Sequence, residues 1–150
     1  MTRSFQRKGY SSNAEVGRKF EQLARKFFEK QGIDLPEEKP KIEIGFQEKK
    51  EHEFDWGNDK EKIVVECKSL TWTSGNLGAR EAQMNQTMLF FYLVGDDYRK
   101  ILALARHEHP ETKETVGEYY IRNHRNLIPK GVEIWEIDEE TEEGRRIYPI

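Results

Sequence analysis

The sequence has one cysteine and no long apolar run, and each shortage excludes a class of protein. Cys67 is the single cysteine among 150 residues, so no disulfide forms within the chain and no paired-cysteine zinc motif is present. No segment approaches the roughly 18 apolar residues of a membrane-spanning helix, and residues 1–13 lack the apolar core of a secretory signal. These features predict one cytoplasmic domain over residues 1–150, with no membrane partner.

Charge is abundant but unevenly distributed. Charged residues make up 35% of the chain, as do apolar residues, and the net charge is −3. Residues 1–30 carry eight Lys or Arg against three Glu, a balance of +5, whereas residues 134–150 carry six acids against two Arg, a balance of −4. The chain therefore lacks an overall basic excess for nucleic acid but has a local basic arm.

The first strong pattern predicts a helix over about Asn13–Gln31. Ser12 followed by Glu15 predicts a capping box at its start, and Gly32 predicts its end. Apolar residues recur at helical spacing, so one face of this helix is expected to be buried. The residues of that face are Val16, Phe20, Leu23, Ala24, Phe27 and Phe28.

The rest of the chain alternates between strand and helix patterns. Three segments, KIEIGF, EKKEHEFDW and KIVVECKSL, predict an antiparallel meander. Five consecutive apolar residues, 101–105, indicate a strand that is covered on both faces. Helices at about 79–94 and 112–124 and a strand at VEIWEID complete the pattern. The order α-β-β-β-α-β-α-β predicts an α/β fold, a mixed β-sheet flanked by helices.

Two charged residues, Glu66 and Lys68, come directly after the β-branched run Ile63–Val65 of a predicted strand. Apolar side chains would be expected at these positions if the strand is central in the sheet. Alternate residues of a strand share a face, so Glu66 and Lys68 are predicted to lie about 6–7 Å apart, with Cys67 pointing away as a small core residue. A buried carboxylate is costly unless it is paired or binds a metal. A surface Glu–Lys pair on a solvated sheet face is the alternative.

A hairpin would bring a second carboxylate to Glu66. With a four-residue loop over residues 58–61, Gly57 faces Lys62 and Asp55 becomes a diagonal neighbour of Glu66, about 7–8 Å away. Two carboxylates at that separation can bind one hard cation, and Mg²⁺ fits because it uses few carboxylates and keeps several waters. Lys68 could then orient a water and stabilise charge on a phosphate.

The segment HEFDWGNDKEKIVVECKS resembles the restriction-endonuclease-like, or PD-(D/E)xK, nuclease superfamily. Phe54 stands where the family name has proline. The resemblance covers a core of about residues 13–107, of order α-β-β-β-α-β, and leaves a C-terminal α-β extension at about 110–150. It implies a Mg²⁺-dependent deoxyribonuclease, with Mn²⁺ as a substitute, that acts as an endonuclease in restriction, repair or recombination. Cutting both strands usually takes two sites, which favours a homodimer.

The same resemblance implies roles for individual residues. The metal would be held by Asp55, Glu66 and the backbone carbonyl of Cys67, with Lys68 at the attacking water. A glutamate on the first helix often completes this environment, and GRKFEQLARKFFEKQG resembles the first helix of the family with Glu21 in the matching place. At 100° per residue, Glu21 lies on the border of the buried face, whereas Glu15 lies on the far side.

The nucleic-acid contacts and the second helix are predicted less specifically. Basic residues of the arm and first helix are expected to attract the DNA backbone. A family subset has a glutamine near the site on the second helix, and Gln83 and Gln86 are candidates, although a solvated position is the simpler interpretation. The basic residues are Arg3, Arg7, Lys8, Arg18 and Lys19.

Two other functions stay open at this point. A nucleic-acid-binding module could keep this fold without catalysis, which would suit the acidic net charge. A zinc-dependent hydrolase could use His107 and His109, which share a strand face but have no evident third ligand.

Overall fold

The computed structural model describes residues 13–73 and 76–150. Within those ranges it contains three α-helices, seven β-strands and one 3₁₀ turn. The helices are α1 (Asn13–Lys30), α2 (Leu77–Val94) and α3 (Val116–His124), followed by the 3₁₀ turn Arg125–Leu127. The strands are β1 (Lys41–Ile44), β2 (Lys50–Glu53), β3 (Trp56–Asn58), β4 (Ile63–Lys68), β5 (Arg99–Ala105), β6 (Val132–Ile137) and β7 (Gly144–Tyr148).

The main sheet is mixed and has the order β3-β4-β5-β6-β7. Strands β4, β5 and β6 run parallel to each other, while β3 and β7 pair antiparallel at the two edges. This confirms the predicted α/β class with a mixed sheet between helices. The residues predicted as a C-terminal extension are part of the same sheet, because β6 pairs along its whole length with β5.

Helices cover both faces of this sheet, which gives two hydrophobic cores. On one face α1 contributes Phe20 and Phe28 to a core that also holds Cys67. On the other face α2 and α3 pack against β4 and β5, with Phe91 and Tyr120 fully buried. The buried strand over residues 101–105 and the core position of Cys67 are confirmed.

The predicted meander is wrong at its middle segment. EKKEHEFDW divides into β2, which pairs only with β1 in a separate two-stranded sheet, and β3, which belongs to the main sheet. In one continuous strand Phe54 and Trp56 would share a face. Here Phe54 enters the core under α2 and Trp56 enters the core under α1, so the strand is interrupted at Asp55.

Helix ends agree with their sequence signals in most places. The α1 helix ends before Gly32, which has φ of +84° and donates its N–H to the carbonyl of Glu29. The predicted cap at Ser12 lies outside the described residues. The predicted start of α3 near residue 112 is wrong, because Thr115 caps the helix in a reciprocal capping box with Glu118. Strand β7 carried no clear pattern in the sequence.

Close packing around Gly57 of β3 leaves no room for a side chain. A Cβ at Gly57 would lie 2.5 Å from the carbonyl oxygen of Ile63 and 2.6 Å from Cγ of Pro40. We expect Gly57→Ala to lower the free energy of unfolding by about 1–3 kcal/mol, since backbone must move to admit the methyl group. Gly17→Ala is the control, because open space surrounds Gly17 on α1 and the change should raise stability by about 0.5–1 kcal/mol. Urea unfolding measures both, and equal effects would contradict this packing.

Helix length and hydropathy bear on membrane crossing. Among the helices of the described residues, none combines the length and apolar character that spanning a bilayer requires.

Candidate functional site

The β3–β4 hairpin brings Asp55 next to Glu66. The predicted register is wrong, since Gly57 pairs with Val64 and not with Lys62. The loop does have four residues, but it covers 59–62, because Asn58 remains in β3 and accepts a hydrogen bond from the N–H of Glu61 at 3.0 Å. The shift makes the two carboxylates direct neighbours across the hairpin.

Each carboxylate is held by backbone near the other one. Oδ2 of Asp55 accepts a hydrogen bond of 2.7 Å from the N–H of Cys67, directly after Glu66. Oε1 of Glu66 accepts one of 3.2 Å from the N–H of Asp55. Within residues 13–73 and 76–150, no hydrogen bond reaches Oδ1 of Asp55 or Oε2 of Glu66. One oxygen of each carboxylate is therefore unengaged by these residues.

The two acids repel each other strongly when both are ionised. Burial, followed by the charge of Glu66, raises the pKa of Asp55 to about 7, against a hydrogen bond from Cys67 that lowers it. Burial also raises the pKa of the Cys67 thiol well above its usual value, which makes it an unreactive core group. A divalent cation between the carboxylates would offset the repulsion and favour their ionised forms.

The α1 helix brings Glu21 near this pair, as part of an ion pair. Oε1 of Glu21 lies 2.9 Å from Nζ of Lys39, and its main-chain oxygen accepts a hydrogen bond of 2.8 Å from the indole of Trp56. The charge of Glu21 adds to the rise in the pKa of Asp55, and Lys39 opposes it. The hydrogen bond to Glu21 raises the pKa of Lys39 itself, which keeps this ammonium charged.

Lys39 is a site residue that sequence reasoning missed. Its ammonium lies over the ring of Trp56, 5.3 Å from the centroid, as well as against Glu21. The flanking Pro36 and Pro40 restrict this connection, but nothing in the sequence indicates where the side chain between them points.

Lys68 ends β4 and follows Glu66 on the same face of the strand. Its side chain is half-buried, and in the parallel ladder of β4 and β5 it lies opposite Leu104. Among the described residues, Lys68 forms no ion pair, so its ammonium is not neutralised there by either carboxylate.

His52 of β2 is the second residue that sequence reasoning left without a role. Its Nε2 lies 3.7 Å from Oε1 of Glu66 and is buried without a hydrogen-bond partner among the described residues. The ring is held between Phe54 and Phe90, with centroid distances of 4.6 and 4.2 Å. Its proximity to Glu66 depends on the β1–β2 hairpin folding back, which no local pattern indicates.

The structure describes two of the five predicted DNA-binding residues. Arg3, Arg7 and Lys8 lie outside the described residues. Arg18 and Lys19 are exposed on α1. They line a groove of about 570 Å³ together with Glu15, Glu139 and Glu142, so two cations there face three carboxylates.

The other candidate residues lie on α2 and in the segment that follows β5. Gln83 and Gln86 are on the exposed face of α2, as the simpler interpretation predicted. Nδ1 of His107 accepts a hydrogen bond from the N–H of Trp72, and Nδ1 of His109 accepts bonds from two backbone N–H groups. Through these hydrogen bonds both imidazoles stabilise the backbone of nearby loops.

Comparison with known proteins gives no match to any protein-family model, curated protein or solved structure. In the part of the chain that the structure describes, no group of three His, Cys, Asp or Glu side chains is arranged to hold a metal ion. Mg²⁺ is commonly held by one or two carboxylates and completes its shell with water, and Asp55 and Glu66 each leave one oxygen unengaged by the described residues.

Proposed function

We propose that this protein is a Mg²⁺-dependent nuclease that hydrolyses phosphodiester bonds in DNA. One observation carries the proposal: Asp55 and Glu66 are neighbours across a hairpin, each with one oxygen held by backbone and one unengaged by the described residues. Lys68 follows on the face of Glu66 and forms no ion pair within those residues. Paired acids with a lysine two residues further along the same strand are suited to phosphoryl chemistry.

The arrangement of elements supports a restriction-endonuclease-like fold as part of the same proposal. The α1 helix packs on one face of the hairpin formed by β3 and β4, and α2 crosses the other face to the parallel strand β5. The observed order α1-β1-β2-β3-β4-α2-β5 has four strands before α2, one more than the α-β-β-β-α-β core that the sequence resembles. The separate β1–β2 sheet is a departure from a single continuous meander.

Each site residue has a role in the proposal. Asp55, Glu66 and the carbonyl of Cys67 would hold the cation, which when bound lowers the pKa of water and polarises the phosphoryl oxygen. Lys68 orients the attacking water and stabilises the charge that develops on the phosphate. Glu21 adds negative charge next to Asp55 and is itself held in place by Lys39.

The proposed substrate is DNA, approached through basic side chains at the N-terminal end of the chain. The acidic groove around Arg18 and Lys19 limits how much these two can attract phosphate. We therefore assign most of the backbone attraction to Arg3, Arg7 and Lys8 of the arm. Plasmid, single-stranded and branched DNA represent the geometries that such a site could cut.

Incubation of these three DNAs with the purified protein tests the proposal. Cleavage of at least one DNA is expected with Mg²⁺ or Mn²⁺, and excess chelator should abolish it. DNA binding without cleavage, together with no cation binding, would refute the nuclease and support a non-catalytic nucleic-acid-binding module.

A further inference from the structure

His52 is held rigidly with one nitrogen aimed at the acidic pair. Phe54 meets the imidazole edge-on at an interplanar angle of 89°, and Phe90 packs against it at 35°. These two contacts fix the plane of the imidazole ring. Nε2 is buried and has no hydrogen-bond partner among the described residues, which is costly for a polar atom.

Oε1 of Glu66 lies 3.7 Å from this nitrogen. That distance is longer than a hydrogen bond, and bonds at catalytic sites often shorten only when the ligand binds. Oε1 already accepts the N–H of Asp55, so both protein donors approach the same oxygen of Glu66. Within the described residues, no hydrogen bond reaches the other oxygen, Oε2.

We propose that His52 is a positioning residue that donates a hydrogen bond from Nε2 to Oε1 of Glu66 when the site holds its cation. This inference rests on the proposed function. A neutral imidazole with its proton on Nε2 is sufficient, so no change of charge is involved. By holding Oε1, His52 directs Oε2 of Glu66 towards the cation, as outer groups do at many metal sites.

Two substitutions separate the hydrogen bond from the packing. His52→Leu keeps apolar bulk between Phe54 and Phe90 but removes the donor, and His52→Gln keeps an N–H donor of similar reach. We expect His52→Leu to weaken Mg²⁺ and Mn²⁺ binding by about 10- to 100-fold and His52→Gln to recover most of that affinity. Isothermal titration calorimetry with each metal ion alone provides the dissociation constants.

The thermal midpoint without cation shows whether either variant merely unfolds. If His52→Leu does not fold, His52→Phe is the second donor-free variant, because it keeps a ring in the same place. His124→Leu is the matched control, since His124 contacts Glu81 between α3 and α2 and belongs to no proposed site. Its cation affinity should equal that of the unmodified protein.

Three results would overturn the role of His52. They are unchanged affinity in the donor-free variant, a glutamine variant as weak as the leucine variant, and a loss confined to Mn²⁺, which would make the imidazole a ligand. Failure of the unmodified protein to bind either ion is a different result and refutes the proposed function itself.

Discussion

Replacing Asp55, Glu66 or Lys68 is expected to lower kcat for DNA cleavage by about two to three orders of magnitude or more. Removal of one group that stabilises transition-state charge typically costs 10²- to 10³-fold, and loss of a cation ligand removes several kcal/mol of stabilisation. The conservative changes Asp55→Asn and Glu66→Gln keep the backbone hydrogen bonds of the hairpin while removing charge. Single-turnover cleavage with saturating Mg²⁺ measures the chemical step.

Matched control variants make the cleavage result specific. Asp97, Glu61 and Lys60 are exposed positions outside the acidic pair, and neutralising any of them should leave kcat nearly unchanged. The control changes are Asp97→Asn, Glu61→Gln and Lys60→Ala. Cleavage that survives Asp55→Asn or Lys68→Ala at the level of these controls would refute the assigned roles.

Asp55→Asn is also expected to make the protein more stable at alkaline pH. Burial and Glu66 raise the pKa of Asp55 to about 7 in the folded state, from an ordinary value of 3.8. The folded state thus holds a proton that the unfolded state has lost, so stability falls as pH rises between these two values. At 1.36 kcal/mol for each pKa unit, the ionised carboxylate costs on the order of 4 kcal/mol above pH 8.

Urea unfolding at pH 4 and pH 8.5 checks this expectation. The gain from Asp55→Asn should be large at pH 8.5 and small at pH 4, where the carboxyl group is protonated in the folded state and only partly ionised in the unfolded state. Saturating Mg²⁺ at pH 8.5 should stabilise the unmodified protein and have little effect on the variant. A variant that is equally destabilised at both pH values would show that Asp55 is a structural residue.

The first helix was predictable because its signals are local and long. The apolar face of α1 extends from Val16 to Phe28, and the Gly32 stop acts within one turn, so neither depends on the rest of the fold. The buried strand β5 was equally clear, since a run of five apolar residues fits a strand covered on both faces.

The break at Asp55 and the contacts of Lys39 and His52 could not be predicted in the same way. Phe54 and Trp56 alternate with Asp55 as in an ordinary strand, and only the presence of a core on each side of the sheet sends them to opposite faces. Lys39 contacts Glu21 across eighteen residues of sequence, and His52 reaches Glu66 only because β2 leaves the main sheet. Sequence proximity placed Asp55 near Glu66, but the true register depended on Asn58 closing the turn.

Anomalous diffraction from crystals soaked in Mn²⁺ tests the central claim most directly. We expect one strong peak between Asp55 and Glu66, within about 2.0–2.3 Å of Oδ1 and Oε2, and no such peak in Asp55→Asn crystals. Well-ordered crystals that show no peak between these carboxylates, or a peak that persists in the variant, would contradict the proposed cation site.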